Sequence, residues 1–167
     1  MRIEQHALSL IFAVALLCGV ASEASALPSE REVVDGIKVM IEKPLTSEAL
    51  EAGSAVVAFA EASSKINVLI APQFWCPVSH SERDTELLAY YIAGATKFDL
   101  ENQSRKHDRF ANVPTAIRTM LFAYRTLVSA SPEHSSRFFD RLSTLDRQGR
   151  LDEYVARCLA NVNPRRS

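Results

Sequence analysis

The sequence is poor in the residues and motifs that usually reveal a chemistry. It has five glycines and three cysteines in 167 residues. No Cys-x-x-Cys-His motif is present, which excludes covalent attachment of a c-type haem. A nucleophile elbow, a phosphate-binding loop and a metalloprotease helix motif are also missing, so none of those enzyme classes is indicated. We therefore expect no cofactor, no metal and no catalytic residue of a recognised type.

Net charge is also low, but it is unevenly distributed along the chain. Residues 27–100 contain 6 basic and 11 acidic side chains, whereas residues 101–167 contain 12 and 7. We favour the interpretation that the two halves pack beside each other or face solvent. The alternative is an anionic partner on the C-terminal half, which carries Arg118, Arg125, Arg137, Arg141, Arg147 and Arg150. Because a balanced charge gives little long-range attraction, we expect no nucleic-acid partner.

The longest apolar run lies at the N-terminus. Residues 7–21 form an apolar stretch of about 15 residues, which is typical of a signal peptide and shorter than the roughly 20 residues of a membrane span. Residues 24–26 (Ala-Ser-Ala) are small at the positions that signal peptidase reads. We predict a cleavable signal peptide at residues 1–26, a cut after Ala26, a periplasmic or secreted protein, and no stable membrane span after cleavage. The alternative is an uncleaved anchor, because one glutamate cancels the single arginine ahead of the apolar run.

Cleavage would leave two cysteines, Cys76 and Cys158. Two thiols in an oxidising compartment favour a disulfide between them. The bond would close a loop of about 80 residues, for which the chain-entropy model suggests a stabilisation of roughly 4 kcal/mol. The alternative is that Cys158, on an apolar helix face, is a core residue.

Apolar residues recur at helical spacing through most of residues 27–163, which predicts a single all-α domain of about six helices and a disordered tail at 164–167. Ser29 and Glu32 form a capping box before the first helix. Later helices are predicted to start at Thr46 or Ser47, Ser79 or Ser81, Asn112, Ser131 and after Gly149, which is predicted to cap the C-terminus of the helix before it. The buried faces of the first two helices are predicted as Val33, Val34, Ile37, Met40 and Ile41, and as Leu50, Val56, Val57, Phe59 and Ala60.

Two segments have ambiguous patterns. Residues 66–70 either prolong the second helix or form a short strand. Residues 96–112 are polar and form either a long loop or a short solvated helix. Between Pro72 and Pro77 the chain must form a non-helical connection.

Two groups of residues in and after this connection are candidates for function. His80 lies near Cys76 and precedes three acids, but the acids are explained as first-turn residues of a helix, and we favour that structural interpretation. Phe74 and Trp75 are candidates for a partner-binding site, since Trp is enriched at interface hot spots. We favour the alternative that these two aromatic side chains plug the end of the helical core.

Residues 74–125 resemble the core of small periplasmic helical immunity proteins of type VI secretion systems. The shared features are an aromatic-Cys-Pro start at residues 74–77, a tyrosine-containing helix at residues 87–92 and an amphipathic helix at residues 114–124. The chain lacks the upstream Cys-containing Gly-Tyr motif and the closing Phe-Pro-Cys element of that family. The resemblance implies a helical fold and a protein partner, and no toxin-contacting residue can be transferred from it.

Together these features predict an exported, non-catalytic helical binding protein, either an inhibitor, an immunity factor or an accessory subunit, that acts through protein–protein contacts. A periplasmic stress chaperone is the second interpretation. An enzyme of unrecognised type, centred on His80, is the third.

Overall fold

The computed structural model describes residues 27–70, 74, 82–105, 108 and 110–162, and this part of the chain is all-α, as predicted. The predicted signal peptide and C-terminal tail lie outside the described residues. Six α-helices are described: α1 (Glu30–Glu42), α2 (Ser47–Ala62), α3 (Glu82–Glu101), α4 (Val113–Ala130), α5 (Arg137–Arg147) and α6 (Leu151–Val162). Short 3-10 turns occupy Gln103–Arg105 and Pro132–His134. No described helix combines the length and apolar character needed to cross a membrane.

The pair α3 and α4 forms the most extensive contact between described helices and is the centre of the fold. The α1–α2 hairpin packs on one side of this pair, mainly against α3, and α5 and α6 pack on the other side, against α4. Every helix contributes buried side chains to one core, which includes Val33, Val56, Leu87, Ile117, Phe139 and Leu151. The apolar periodicity of the sequence therefore produces a single hydrophobic core, which is the main source of stability in such a domain.

Three buried tyrosines hold the connections between helices. The Tyr90 hydroxyl accepts a hydrogen bond from the Leu45 N–H at 2.9 Å, in the turn between α1 and α2. The Tyr91 hydroxyl donates to the Leu69 carbonyl at 2.6 Å, and the Tyr124 hydroxyl accepts from the Ser136 N–H at 2.7 Å. Each ring is buried in the core while its hydroxyl satisfies a loop backbone group, which would otherwise be costly to remove from water.

The predicted helix caps at two N-termini and one C-terminus are confirmed. Ser29 and Glu32 form the reciprocal capping box of α1, and the Thr46 hydroxyl accepts from the Ala49 N–H at the start of α2. Gly149 follows α5 with φ 69°, and its N–H bonds the Asp146 carbonyl. The Arg150 N–H bonds the Leu145 carbonyl, five residues earlier, at 2.9 Å, so α5 ends in a Schellman arrangement.

Three of the predicted helix and loop boundaries differ from the structure. Helix α3 continues to Glu101 because Ala95 and Thr96 are buried in the core, where the sequence predicted a loop or a separate helix. Residues 66–70 form neither helix nor strand but an irregular connection that packs Ile66, Val68 and Leu69 against the core. The segment after Ser131 forms a 3-10 turn, and α5 begins at Arg137, with Ser136 as its N-cap.

Some side chains predicted to be buried are exposed. Val34 and Ile41 of α1 retain 45% and 37% of their accessible surface, and Leu50 of α2 retains 38%. Val33, Ile37 and Met40 fill the narrower stripe of α1 that faces the core. Apolar surface therefore remains on the α1–α2 side of the fold.

Candidate functional site

An open apolar groove runs between α2 and α3, and we call it the α2–α3 groove. Its volume is about 630 Å³. Met40 of α1 contributes to it, and its two walls include Leu50, Gly53, Ser54, Val57, Ala58 and Glu61 of α2 and Thr85, Glu86, Leu88, Ala89, Tyr90 and Ile92 of α3. A second cavity, lined in part by Pro114 and Arg118 of α4 and by Val155 and Leu159 of α6, has a volume of about 340 Å³.

The groove exists because α2 carries more apolar residues than the core can bury. Val56 and Phe59 lie on the face of α2 that packs into the core. Val57 is half-buried and Leu50 is exposed, and both line the groove on the adjacent face. A helix in contact with the core on one side normally presents polar residues to solvent on the other. The composition of α2 instead fits a helix that is covered on a second face.

A small residue lets α2 pack closely on its neighbours beside the groove. Gly53 lies close to Met40 and to Ala89: a Cβ placed on Gly53 would stand 3.3 Å from the Met40 Cε and 3.5 Å from the Ala89 Cβ. The space beside Gly53 is therefore already occupied by these two side chains. Helix backbones approach each other closely where small residues lie at the contact.

The charged residues of the groove walls are almost all acidic. Residues 47–62 and 82–94 together contain six acidic side chains and one basic side chain. Glu61 and Glu86 lie in the groove itself. The single basic residue, Arg83, pairs with Glu86 at 2.7 Å. The local potential is therefore negative around an apolar surface.

A partly buried polar cluster joins α3, α4 and the connection that follows α2. Asp99 accepts a hydrogen bond from the Asn67 N–H at 2.8 Å. The side-chain amide of Asn112 donates to the Asn67 carbonyl at 2.6 Å and to both Asp99 oxygens at 3.0 Å. Burial raises the pKa of Asp99, while these donors oppose the shift. Asn112, predicted to cap α4 with its side chain, makes no such bond and instead tethers the connection.

This Asp99 cluster borders a polar cleft of only about 80 Å³, lined in part by Lys65 and Arg105. Within the described residues, no group of three or more histidine, cysteine, aspartate or glutamate side chains could hold a metal ion. The hydrogen bonds of Asp99 and Asn112 fix the path of the chain between α2 and α3. We therefore treat this cluster as a structural anchor.

Two of the C-terminal arginines are paired within the fold. Arg118 of α4 donates to Asp146 of α5 at 3.1 Å and to Asp152 of α6 at 2.8 Å. Arg125 reaches Asp146 at 3.4 Å. These pairs connect α4 to α5 and α6, and they reduce the positive charge that this face offers to an anionic partner. Since the side chains are half exposed, each pair contributes little to stability.

The candidate residues from the sequence fall in different places. Phe74 is fully buried in the core, so its ring contacts the protein's own side chains. Trp75, Cys76 and His80 lie outside the described residues. Cys158 has a free thiol and is half-buried on α6, so the part of the chain that the structure describes contains no disulfide at this position. The Cys158 side chain packs against the core, as the alternative interpretation of the sequence has it.

The chain was compared with protein-family models, with curated proteins and with solved structures, and none of the three comparisons found a match.

Proposed function

We propose that this protein is an exported, non-catalytic binding protein that acts through contacts with another protein, as an inhibitor, an immunity factor or an accessory subunit. The observation that carries the proposal is the open apolar α2–α3 groove. The resemblance of residues 74–125 to periplasmic immunity proteins is in keeping with it.

The groove supports a binding role because none of the described residues covers its apolar walls. Monomeric proteins rarely expose large contiguous apolar patches unless the patch binds a partner. A catalytic pocket also needs polar groups that converge on one point. The polar lining residues of the groove lie on both walls, Ser54 and Glu61 on α2 and Thr85 and Glu86 on α3, and they include no histidine, cysteine or lysine.

Export is the second part of the proposal, and it rests on the predicted signal peptide. The test is fractionation of the source cells followed by N-terminal sequencing of the recovered protein. Leu27 is the expected first residue, in the periplasmic or secreted fraction. A protein that begins at Met1 and stays in the cytosol would contradict this part.

The binding role is tested with tagged full-length protein, cross-linked in its source cells and purified at several salt concentrations. We expect one stoichiometric partner protein, which after separate purification binds the mature chain in a defined ratio by isothermal titration calorimetry. Recovery of no partner that can be reconstituted in this way would refute the proposed function.

A further inference from the structure

We infer that the α2–α3 groove receives one amphipathic α-helix of the partner protein, with an apolar face in the groove and basic residues along its edges. The inference rests on the proposed function, because it names the segment of the partner and its chemistry. The groove is the right length for this occupant. Its α2 wall extends from Ala49 to Glu61, which corresponds to about 18 Å or roughly three helical turns.

The shape of the groove favours a helix over a small molecule. Small-molecule sites enclose most of the surface of their ligand. The α2–α3 groove has two walls and an open side, and Leu50 on its edge is 38% exposed. A helix needs only such an open trough, because it supplies a solvent-facing side of its own and buries only its apolar stripe.

The backbone of the walls favours a helix over an extended segment. Both walls are α-helices, whose backbone N–H and C=O groups already bond within the helix. An extended peptide in the groove would bury backbone groups that find no partner there, at a substantial cost for each one. A helical peptide satisfies its own backbone, so it can lie against these walls without that cost.

The charge of the walls favours a basic occupant. The two wall segments carry six acidic residues and one basic residue; Glu86 pairs with Arg83 and Glu48 pairs with Lys43, which leaves a net negative charge on the walls. Glu61 lies at the edge of the groove and makes no ion pair with the described residues. Lysine or arginine on the flanks of a bound helix would face these carboxylates, whereas an acidic helix or an anionic lipid surface would be repelled.

The test uses two synthetic peptides of about 14 residues, each stapled as a helix and labelled with fluorescein. Both carry leucines at i, i+3, i+4 and i+7, and they differ only in whether lysine or glutamate flanks the apolar face. Binding to the mature protein is measured by fluorescence anisotropy at low and high salt. We expect the basic peptide to bind saturably, with a Kd at least about tenfold below that of the acidic peptide.

Two pairs of variants locate the site. Ser54→Arg fills the groove and should raise the Kd of the basic peptide at least about tenfold. Ser129→Arg is its matched control, because both serines are exposed and each donates its hydroxyl to the carbonyl four residues earlier in its helix. Glu61→Lys should raise the Kd about three- to tenfold at low salt and less at high salt, whereas Glu133→Lys, remote on an exposed turn, should leave it unchanged. Circular dichroism of each variant confirms that it folds.

Several outcomes would overturn the inference. These are no saturable binding of the basic peptide, equal binding of the acidic peptide, or an affinity that Ser54→Arg and Glu61→Lys leave unchanged. A dimer of the free protein that Ser54→Arg dissociates would make a second copy the occupant instead. Failure here is separable from failure of the proposed function: a reconstituted partner that still binds the Ser54→Arg variant refutes the groove but keeps the binding role.

Discussion

Replacement of Gly94 by alanine should destabilise the protein, although alanine is normally the better residue in a helix. Gly94 lies where α3 crosses α4 at close range. A Cβ built on it would stand 2.8 Å from the Ala116 Cα and 2.6 Å from the Thr119 Oγ1. Ordinary carbon contacts lie near 3.5 to 4.0 Å, so the two helices would have to separate. No rotamer change can move the Cα of Ala116 away.

The magnitude follows from two opposing effects. Alanine gains about 1 kcal/mol over glycine in a helix interior. Overpacking a tight core contact costs about 1 to 3 kcal/mol, and the upper value applies here because one of the clashing atoms belongs to the backbone. We therefore expect Gly94→Ala to lower the free energy of unfolding by about 2 kcal/mol, the difference between the two effects.

The assay is urea unfolding followed by circular dichroism at fixed redox conditions. With an m-value of about 2 kcal/mol per molar, the midpoint should fall by about 1 M. Gly36→Ala is the matched control, since a Cβ there meets the nearest atom, the Ala52 Cβ, at an ordinary 3.6 Å. That variant should be stabilised by up to about 1 kcal/mol. If both variants were stabilised equally, α3 and α4 would not be packed as tightly as the structure has them.

Three further predictions concern single positions. Thr96→Val should raise the free energy of unfolding by about 1 kcal/mol in the same urea assay. The Thr96 hydroxyl is fully buried and finds no hydrogen-bond partner among the described residues, so valine removes an unsatisfied polar group. A lower free energy of unfolding would contradict this prediction. Gly149→Ala should cost about 1 kcal/mol through backbone strain alone, since its φ is 69° and a Cβ there would meet no atom within 4 Å; an unchanged unfolding midpoint would refute it. Burial raises the pKa of Asp99, so the folded state binds the Asp99 proton more tightly than the unfolded state does. The contribution of this carboxyl to stability should therefore fall as pH rises from about 3.8 through the raised pKa. A titration of the carboxyl by NMR with a midpoint below 3.8 would contradict this direction.

Local motifs are the features of this fold that the sequence predicts well. The capping box at Ser29 and the C-terminal glycine at Gly149 depend only on residues a few positions apart, so their geometry is decided by the local chain. The start of α5 is different. The segment at Ser131 has the composition of a helix start, but the Tyr124 hydroxyl bonds the Ser136 N–H and the helix begins after Ser136. A tertiary hydrogen bond therefore decides a boundary that local composition predicts five residues too early.

The candidate site is less predictable because it depends on which apolar face the rest of the chain covers. Leu50 and Val57 have the spacing of core residues, and the sequence predicts them as core together with Val56. In the structure the core covers Val56, and the other two line the α2–α3 groove. The excess of apolar residues on α2 is the signal that could have indicated a second contact face. The polar cluster of Asp99 and Asn112 left no comparable signal, because its members are brought together only by the packing of α3 and α4.

Tyr90 lines the α2–α3 groove and also holds the turn between α1 and α2 in place. Leu45, which precedes the N-cap residue Thr46 of α2, has φ 64°, a left-handed conformation that costs a non-glycine residue of order 1 kcal/mol or more. The Tyr90 hydroxyl accepts the Leu45 N–H and donates to the Met40 carbonyl at 3.3 Å, so both ends of the turn are attached to α3. The strained turn is thus maintained by a tertiary contact, and it fixes where α2 begins. Because Tyr90 also lines the α2–α3 groove, the same residue that holds this wall in place lies where an occupant would make contact.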